Sequence, residues 1–150
     1  MTCPRTILVV DDDPCHIDLM IEAYEESGIP FELVSVKDGV EAMKYLRRQG
    51  VYSSAKRPAL VFLDLNMPRK DGRQVLAEMK EDADLKDIPV NVLSTSRSEE
   101  DIAQAYKLHA NCYLSKPSNM EGLVHLVKGV DTFWFGLAAL PHSAVDNHSK

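Results

Sequence analysis

The chain has 150 residues, enough for one domain with a tail but too few for two well-buried cores. Hydrophobic residues make up 45% and charged residues 27%, which excludes a disordered chain, and 17 Lys plus Arg against 23 Asp plus Glu leave a net charge of −6. That sign argues against nucleic-acid binding, and no apolar run reaches the roughly 18 residues that cross a membrane.

Three cysteines (Cys3, Cys15, Cys112), with no Cys-x-x-Cys pair, point to reduced thiols and no structural zinc. The N-terminus lacks a signal-peptide pattern, so a cytoplasmic protein is expected.

The first apolar run, residues 7–10, stops at Asp11-Asp12-Asp13-Pro14. Asp13 suits a helix N-cap and Pro14 the first turn. Ile17, Met20, Ile21 and Tyr24 then recur at helical spacing until Ser27-Gly28 closes the segment. Residues 31–36 read as a second strand, and Asp38-Gly39 opens a helix carrying Ala42, Met43 and Leu46. A polar connection, 50–58, leads to residues 59–63, continuously apolar like a strand covered on both faces. After a loop at 67–72, a helix carries Val75, Leu76 and Met79, and residues 90–93 form the fourth strand. Ser98-Glu99-Glu100-Asp101 resembles a helix start, with acids at the positive end of the dipole, and Ile102, Ala105 and Tyr106 follow. Residues 111–114 make the fifth strand and Lys116-Pro117 ends it. A last helix runs from about residue 119 to beyond Trp134, and the polar segment 141–150 reads as a frayed tail.

Strands alternating with helices imply βαβ units. The result is a parallel sheet with helices on both faces and its ligand site at the carboxyl ends of the strands. Those ends carry Asp11-Asp12-Asp13, Asp64, Ser94-Thr95 and Ser115-Lys116-Pro117. Neighbouring strands lie about 4.8 Å apart, so carboxylates on adjacent ends can share one cation. Crowded carboxylates raise one another's pKa or recruit a counter-charge, here Lys116 or a divalent ion, and all-oxygen ligands suit Mg²⁺. The turn after the first strand has three acids and no glycine, unlike a nucleotide-cradling loop. A metal, a nucleophilic carboxylate and a Lys are instead an arrangement for phosphoryl transfer.

Singly, each residue has a plainer reading. Asp11, Asp12 and Asp13 can be helix-capping acids, Ser94 a strand-end hydroxyl and Lys116 a surface lysine. Their coincidence at strand ends decides against that, as does Asp64, an acid placed expensively after five apolar residues. His16, His109 and His125 show no ligand spacing and read as surface or packing residues.

Four stretches in order resemble the response-regulator receiver domain of two-component signalling. They are Ile7-Leu8-Val9-Val10-Asp11-Asp12-Asp13-Pro14, Leu63-Asp64-Leu65-Asn66-Met67-Pro68-Arg69-Lys70-Asp71-Gly72, Val92-Leu93-Ser94-Thr95 and Tyr113-Leu114-Ser115-Lys116-Pro117. The likeness spans residues 5–130. It implies a doubly wound α/β fold, flavodoxin-like, with five parallel strands in the order 2-1-3-4-5, occupying residues 1–140. It also implies a phosphorylation switch: Asp64 accepts a phosphoryl group from a sensor histidine kinase and loses it by hydrolysis. The chain would then signal as a single-domain regulator through protein contacts, catalysing only its own phosphotransfer and dephosphorylation.

The resemblance assigns Asp11, Asp12, Asp64 and the Asn66 carbonyl to Mg²⁺, with Asp12 direct and Asp11 partly through water. Ser94 would hydrogen-bond the phosphoryl group, Lys116 would neutralise it, and Pro117 would follow a cis bond. Tyr113 takes the aromatic switch position, turning inward as Ser94 moves toward Asp64. Thr95 stands where relatives often carry a smaller Ala, and its bulk implies narrower phosphoryl access and slower hydrolysis. The connection 49–58 and the segments 131–135 and 140–141 resemble regulators paired with cyanobacterial and bacterial phytochrome kinases.

Two other functions compete. Asp11-x-Asp13 superficially fits a small aspartyl-nucleophile phosphatase, which would leave the Asp64 motif unexplained. A protein-binding module with vestigial acids is the second. Finally, Leu123, Val127, Val130, Trp134 and Leu137 follow a four-three spacing beside a second row, Leu126, Phe133 and Leu140. Together these rows are broader than one packing face, so a homodimer through Leu123, Val127, Val130, Trp134 and Phe135 is expected.

Overall fold

The structure, a computed structural model, describes residues 5–67 and 70–140. Cys3, the loop residues Pro68 and Arg69, and the expected tail 141–150 lie outside the described residues. Five strands, β1 (Arg5–Val10), β2 (Phe31–Val36), β3 (Leu60–Leu63), β4 (Val90–Ser94) and β5 (Cys112–Ser115), form one parallel sheet in the order β2-β1-β3-β4-β5. They alternate with helices α1 (Pro14–Ser27), α2 (Gly39–Leu46), α3 (Gly72–Glu81), α4 (Glu99–Lys107) and α5 (Met120–Asp131), as the sequence pattern predicts.

Strand residues alternate between two apolar layers because successive side chains point to opposite faces. Ile7, Val9, Leu60, Phe62 and Leu93 pack with Met20, Ala23 and Tyr24 of α1 and Leu123, Val127 and Val130 of α5. Leu8, Val10, Val61, Leu63, Val90 and Val92 pack on the other face against α2, α3 and α4. Helix starts follow the expected polar residues. Asp13 accepts from the Cys15 N–H, Asp38 from that of Glu41 and Asn119 from that of Gly122. Asp71 and Gln74 close a reciprocal capping box on α3. Gly28 ends α1 at φ 75°, a left-handed conformation that Gly adopts without penalty.

Two expectations are corrected. Among the described residues no peptide bond is cis, so the bond before Pro117 is trans; the trans preference of X–Pro bonds is met there. The last helix also changes character: after Asp131 it continues as a π-helical turn, Thr132–Leu137, closed by the Ala138 N–H donating to the Phe133 carbonyl at 2.7 Å. Trp134 still continues the row of Leu123, Val127 and Val130 and packs, with Phe135, against its own domain, whereas Leu137, the next member of that row, is turned out to solvent. The Trp134 indole N–H donates to Asn91 Oδ1 at 3.2 Å, and the Arg5 guanidinium sits 4.4 Å from the Phe135 ring centre. Leu123, Val127 and Val130 are buried in the core of this domain. The four-three row is thus the one that packs α5 on the sheet, which takes Leu123 and Val127 out of reach of a partner and leaves Trp134 and Phe135 half-buried. Phe133 and Leu137 are open to solvent, at 51% and 76% exposed.

Gly72 shows how tightly α3 is set under the site. Its N–H donates to the Leu65 carbonyl at 2.9 Å, and a Cβ added there would collide with the Asp64 carbonyl oxygen and Leu65 Cα, both backbone. Gly72→Ala is expected to cost about 1–3 kcal/mol, as overpacking does, and to slow any reaction of Asp64. Thermal unfolding and phosphodonor labelling measured on the same variant check this.

Candidate functional site

The sheet register brings the acids together. Val10 pairs with Leu63, so Asp11 and Asp64, the next residues along, sit side by side at adjacent strand ends. The ladder runs one step further on both strands, with the Asp11 N–H donating to the Val36 carbonyl at 3.1 Å and the Asp64 N–H to the Val10 carbonyl at 2.9 Å. Asp12, one residue on, turns outward and is exposed, while Asp11 and Asp64 are buried. Carboxylate oxygens of Asp11, Asp12 and Asp64 lie within 4.8 Å of one another. This is the donor set of a hard divalent cation, with acids converging on a pocket that keeps one solvent-facing side.

Lys116 reaches into this cluster from the end of β5. Its Nζ is 3.0 Å from Asp11 Oδ2 and 3.7 Å from Asp64 Oδ2. The backbone aims it, because the Lys116 N–H donates to the Ser94 carbonyl at 2.8 Å. Ser94 itself ends β4 fully buried, paired with Ser115.

The two buried acids are held differently. Burial pushes the Asp11 carboxyl upward, but His16, the Asp13 N–H and Lys116 outweigh it and hold the pKa below the ordinary carboxylate value. Burial also pushes Asp64 upward; Lys116 opposes this, Asp11 and Asp12 add to it, and the pKa stays raised. Among the described residues the hydrogen-bond donor to Asp64 is the Asn66 N–H, at a long 3.3 Å. The least compensated carboxylate is therefore the one that the sequence marks as the nucleophile.

Three further placements bear on the expectations. The Asp13 carboxylate caps α1 and is exposed, so the Asp11-x-Asp13 pair does not converge as a phosphatase pair requires. Asn66 is exposed, with its backbone beside Asp64. The Tyr113 hydroxyl donates to the Ser96 carbonyl at 2.9 Å, which ties β5 to the loop after β4. Thr95 in that loop is exposed.

Sequence reading missed His16. Far from being an idle surface residue, it is mostly buried, with Nδ1 2.8 Å from Asp11 Oδ2. Its place in the first turn of α1, five residues after Asp11, was the available signal.

Residues 7–128 match the family model described as the response regulator receiver domain. The chain belongs to the response-regulator receiver family. It is 46% identical over 138 residues to the response regulator Rcp1 of Synechocystis sp., covering 92% of this chain and 94% of that protein. It is also similar to the crystal structure of the phosphorylated cyanobacterial phytochrome response regulator RcpA, with 51% identity, a TM-score of 0.87, and coverage of 93% of this chain and all of that one. The Mn²⁺-bound form of Rcp1 superposes with a TM-score of 0.83 at 46% identity, over 93% of this chain and all of that one. The regulator RPA3017 of R. palustris red-light signalling gives a TM-score of 0.88 at 34% identity, over 92% of this chain and 99% of that one. A receiver domain is a signalling switch, and the acidic pocket of Asp11, Asp12 and Asp64 is where such a domain takes its divalent metal.

The raised pKa of Asp64 has a consequence for stability. A carboxyl whose folded pKa exceeds its unfolded value of 3.8 stabilises the fold while protonated, and that contribution is lost as pH rises through the folded pKa. Asp64→Asn is therefore expected to unfold at a higher temperature than the wild type at pH 7 without divalent metal. The gap closes as pH falls below the ordinary carboxylate value. Thermal melts across pH check the sign.

Proposed function

We propose that the chain is a Mg²⁺-dependent single-domain response regulator, phosphorylated on Asp64 by a phytochrome-type sensor histidine kinase in the cytoplasm. The observation that carries this is the convergence of Asp11, Asp12 and Asp64 at the strand ends, with the Lys116 ammonium set against Asp11 and Asp64. The names of Rcp1, RcpA and RPA3017, a phytochrome or red-light regulator in two of the three cases, support the choice of kinase.

In this reading Asp12, Asp64 and the Asn66 carbonyl would hold the Mg²⁺, with Asp11 supporting them. When bound, the ion neutralises charge on the transferring phosphoryl oxygens. Asp64 is the nucleophile: its carboxylate oxygen forms the new P–O bond as the P–N bond to the donor imidazole breaks. Burial, with Asp11 and Asp12 adding to it, disfavours its charge more than Lys116 favours it, which keeps the carboxylate basic. Lys116 already stands 3.7 Å from Asp64 Oδ2 and supplies positive charge where the acyl phosphate forms. Ser94 donates its hydroxyl to a phosphoryl oxygen, and Tyr113 reports that movement on the face built from α4, β5 and α5. Output then passes through protein contact.

Acetyl phosphate with Mg²⁺ is expected to add one phosphoryl group, seen by intact mass, and Asp64→Asn to abolish it. Asp12→Ala should weaken Mg²⁺ binding far more than Asp13→Ala, whose carboxylate is engaged in capping α1. Labelling of Asp64→Asn on another acid, or equal metal loss in the two Ala variants, would overturn the assignment.

The homodimer belongs to the same reading, with its interface moved. Phe133 is exposed on an apolar groove of about 510 Å³ that it lines with Leu114, Leu126, Val130 and Trp134 along the open edge strand β5, and Leu137, four residues on, is exposed as well. A second copy of the chain is the occupant assigned to this groove. Sedimentation at micromolar concentration should show a dimer that Phe133→Ala with Leu137→Ala turns into a folded monomer. Trp134→Ala should lower thermal stability instead. A wild type that stays monomeric, phosphorylated or not, refutes this.

A further inference from the structure

One residue of the loop after β4 has every polar group engaged by a different part of the site. The Ser96 N–H donates to Ser94 Oγ at 3.1 Å. Its carbonyl accepts the Tyr113 hydroxyl at 2.9 Å. Its own hydroxyl donates to Asp101 Oδ2, in the first turn of α4, at 2.6 Å. That carboxylate is held in turn from α3: Arg73 Nη2 is 3.2 Å from Asp101 Oδ1, and Arg73 Nε donates to Gln104 Oε1 at 2.9 Å. Arg73 follows Gly72, the residue packed against the Asp64 backbone.

We propose that Ser96 is the positioning residue that holds the Ser94 hydroxyl ready for the phosphoryl group and carries its movement to Tyr113 and to α4. The inference rests on the phosphorylation reading above and extends it by naming the residue through which Ser94 acts. An N–H donated to Ser94 Oγ occupies a lone pair of that oxygen, which leaves the hydroxyl proton to be given elsewhere. When Ser94 Oγ turns toward a phosphoryl oxygen on Asp64, the Ser96 N–H loses alignment unless residue 96 follows. Residue 96 cannot follow without drawing on both the Tyr113 hydroxyl and the Asp101 carboxylate. The Asp101 tie is the strongest of the three, a short hydrogen bond to an ionised acceptor, and it holds the Asp101 carboxyl below its ordinary pKa. Ser98, the N-cap of α4, accepts the Asp101 N–H through its Oγ at 3.3 Å, so Asp101 is tied into the first turn and a pull on it is a pull on the start of α4. Coupling of this kind needs a contiguous set of contacts with two arrangements, and residues 94, 96, 101 and 113 supply the contacts.

The test uses the full chain with acetyl phosphate and Mg²⁺ for labelling rate. Amide NMR with beryllofluoride and Mg²⁺, a mimic of the phosphorylated acid, follows the response of α4. Ser96→Ala is expected to be labelled still on Asp64, but roughly three- to tenfold more slowly, what one hydrogen bond contributes. The beryllofluoride shifts should persist beside Asp64 and fall by more than half at Asp101 and Gln104. Ser96→Thr, which keeps the hydroxyl, should restore both. Asp101→Asn, which keeps the shape of α4 and weakens the acceptor, should reproduce the loss at α4. Wild-type labelling rate and wild-type α4 shifts in Ser96→Ala would overturn the inference, and so would a Ser96→Thr variant as defective as Ser96→Ala. A wild type that takes no phosphoryl group would instead overturn the reading underneath, and is told apart because it fails before any variant is compared.

Discussion

Three carboxylates gathered at the ends of two strands repel one another, and the fold tolerates them because Lys116 arrives from a third strand. Its ammonium stands between Asp11 and Asp64. Charges at these separations interact with several kcal/mol at the effective dielectric of a protein surface, so the register of β1, β3 and β5 and the chemistry of the site are one problem. A one-step slip of β3 against β1 would invert every side chain of Leu60–Leu63 and carry Asp64 away from the ammonium. The two apolar layers enforce the register, since each holds alternate residues of the same strands.

The same arrangement divides labour between the two buried acids. Asp11 has partners on both oxygens and is held as a stable charge. Asp64, with little hydrogen bonding of its own, carries the raised pKa. A cluster of like charges thus separates into a member held ionised and one that takes a proton more readily, through the donors around each and without any difference in residue type.

The fold and the acidic pocket were legible in the sequence because both rest on local signals. Apolar runs of strand length end at Asp11, Asp64, Ser94 and Ser115, and Asp13, Asp38, Asp71, Ser98 and Asn119 mark the helix starts. What could not be read depends on rotation about a helix axis. The heptad-like row through Leu123, Val127 and Val130 is equally compatible with a dimer seam and with packing on a sheet, and the sheet takes it. Trp134 keeps to that row, but within the π-helical turn Leu137, its next member, faces solvent, which α-helical spacing does not anticipate. His16 and the Ser96 contacts escape for a similar reason: their partners are fixed by how a helix or loop meets the sheet, and composition carries no trace of that.

The indole of Trp134, the chain's single tryptophan, hydrogen-bonds Asn91 inside β4, three residues before Ser94. The chromophore is half-buried and coupled to the strand that ends in the site, yet sits on the outer turn of the chain. The molecule thereby carries its own optical gauge: indole emission depends on the polarity and hydrogen bonding at that nitrogen. A rearrangement of β4 that reaches Asn91 is thus open to reading in untagged protein, in real time, by light alone.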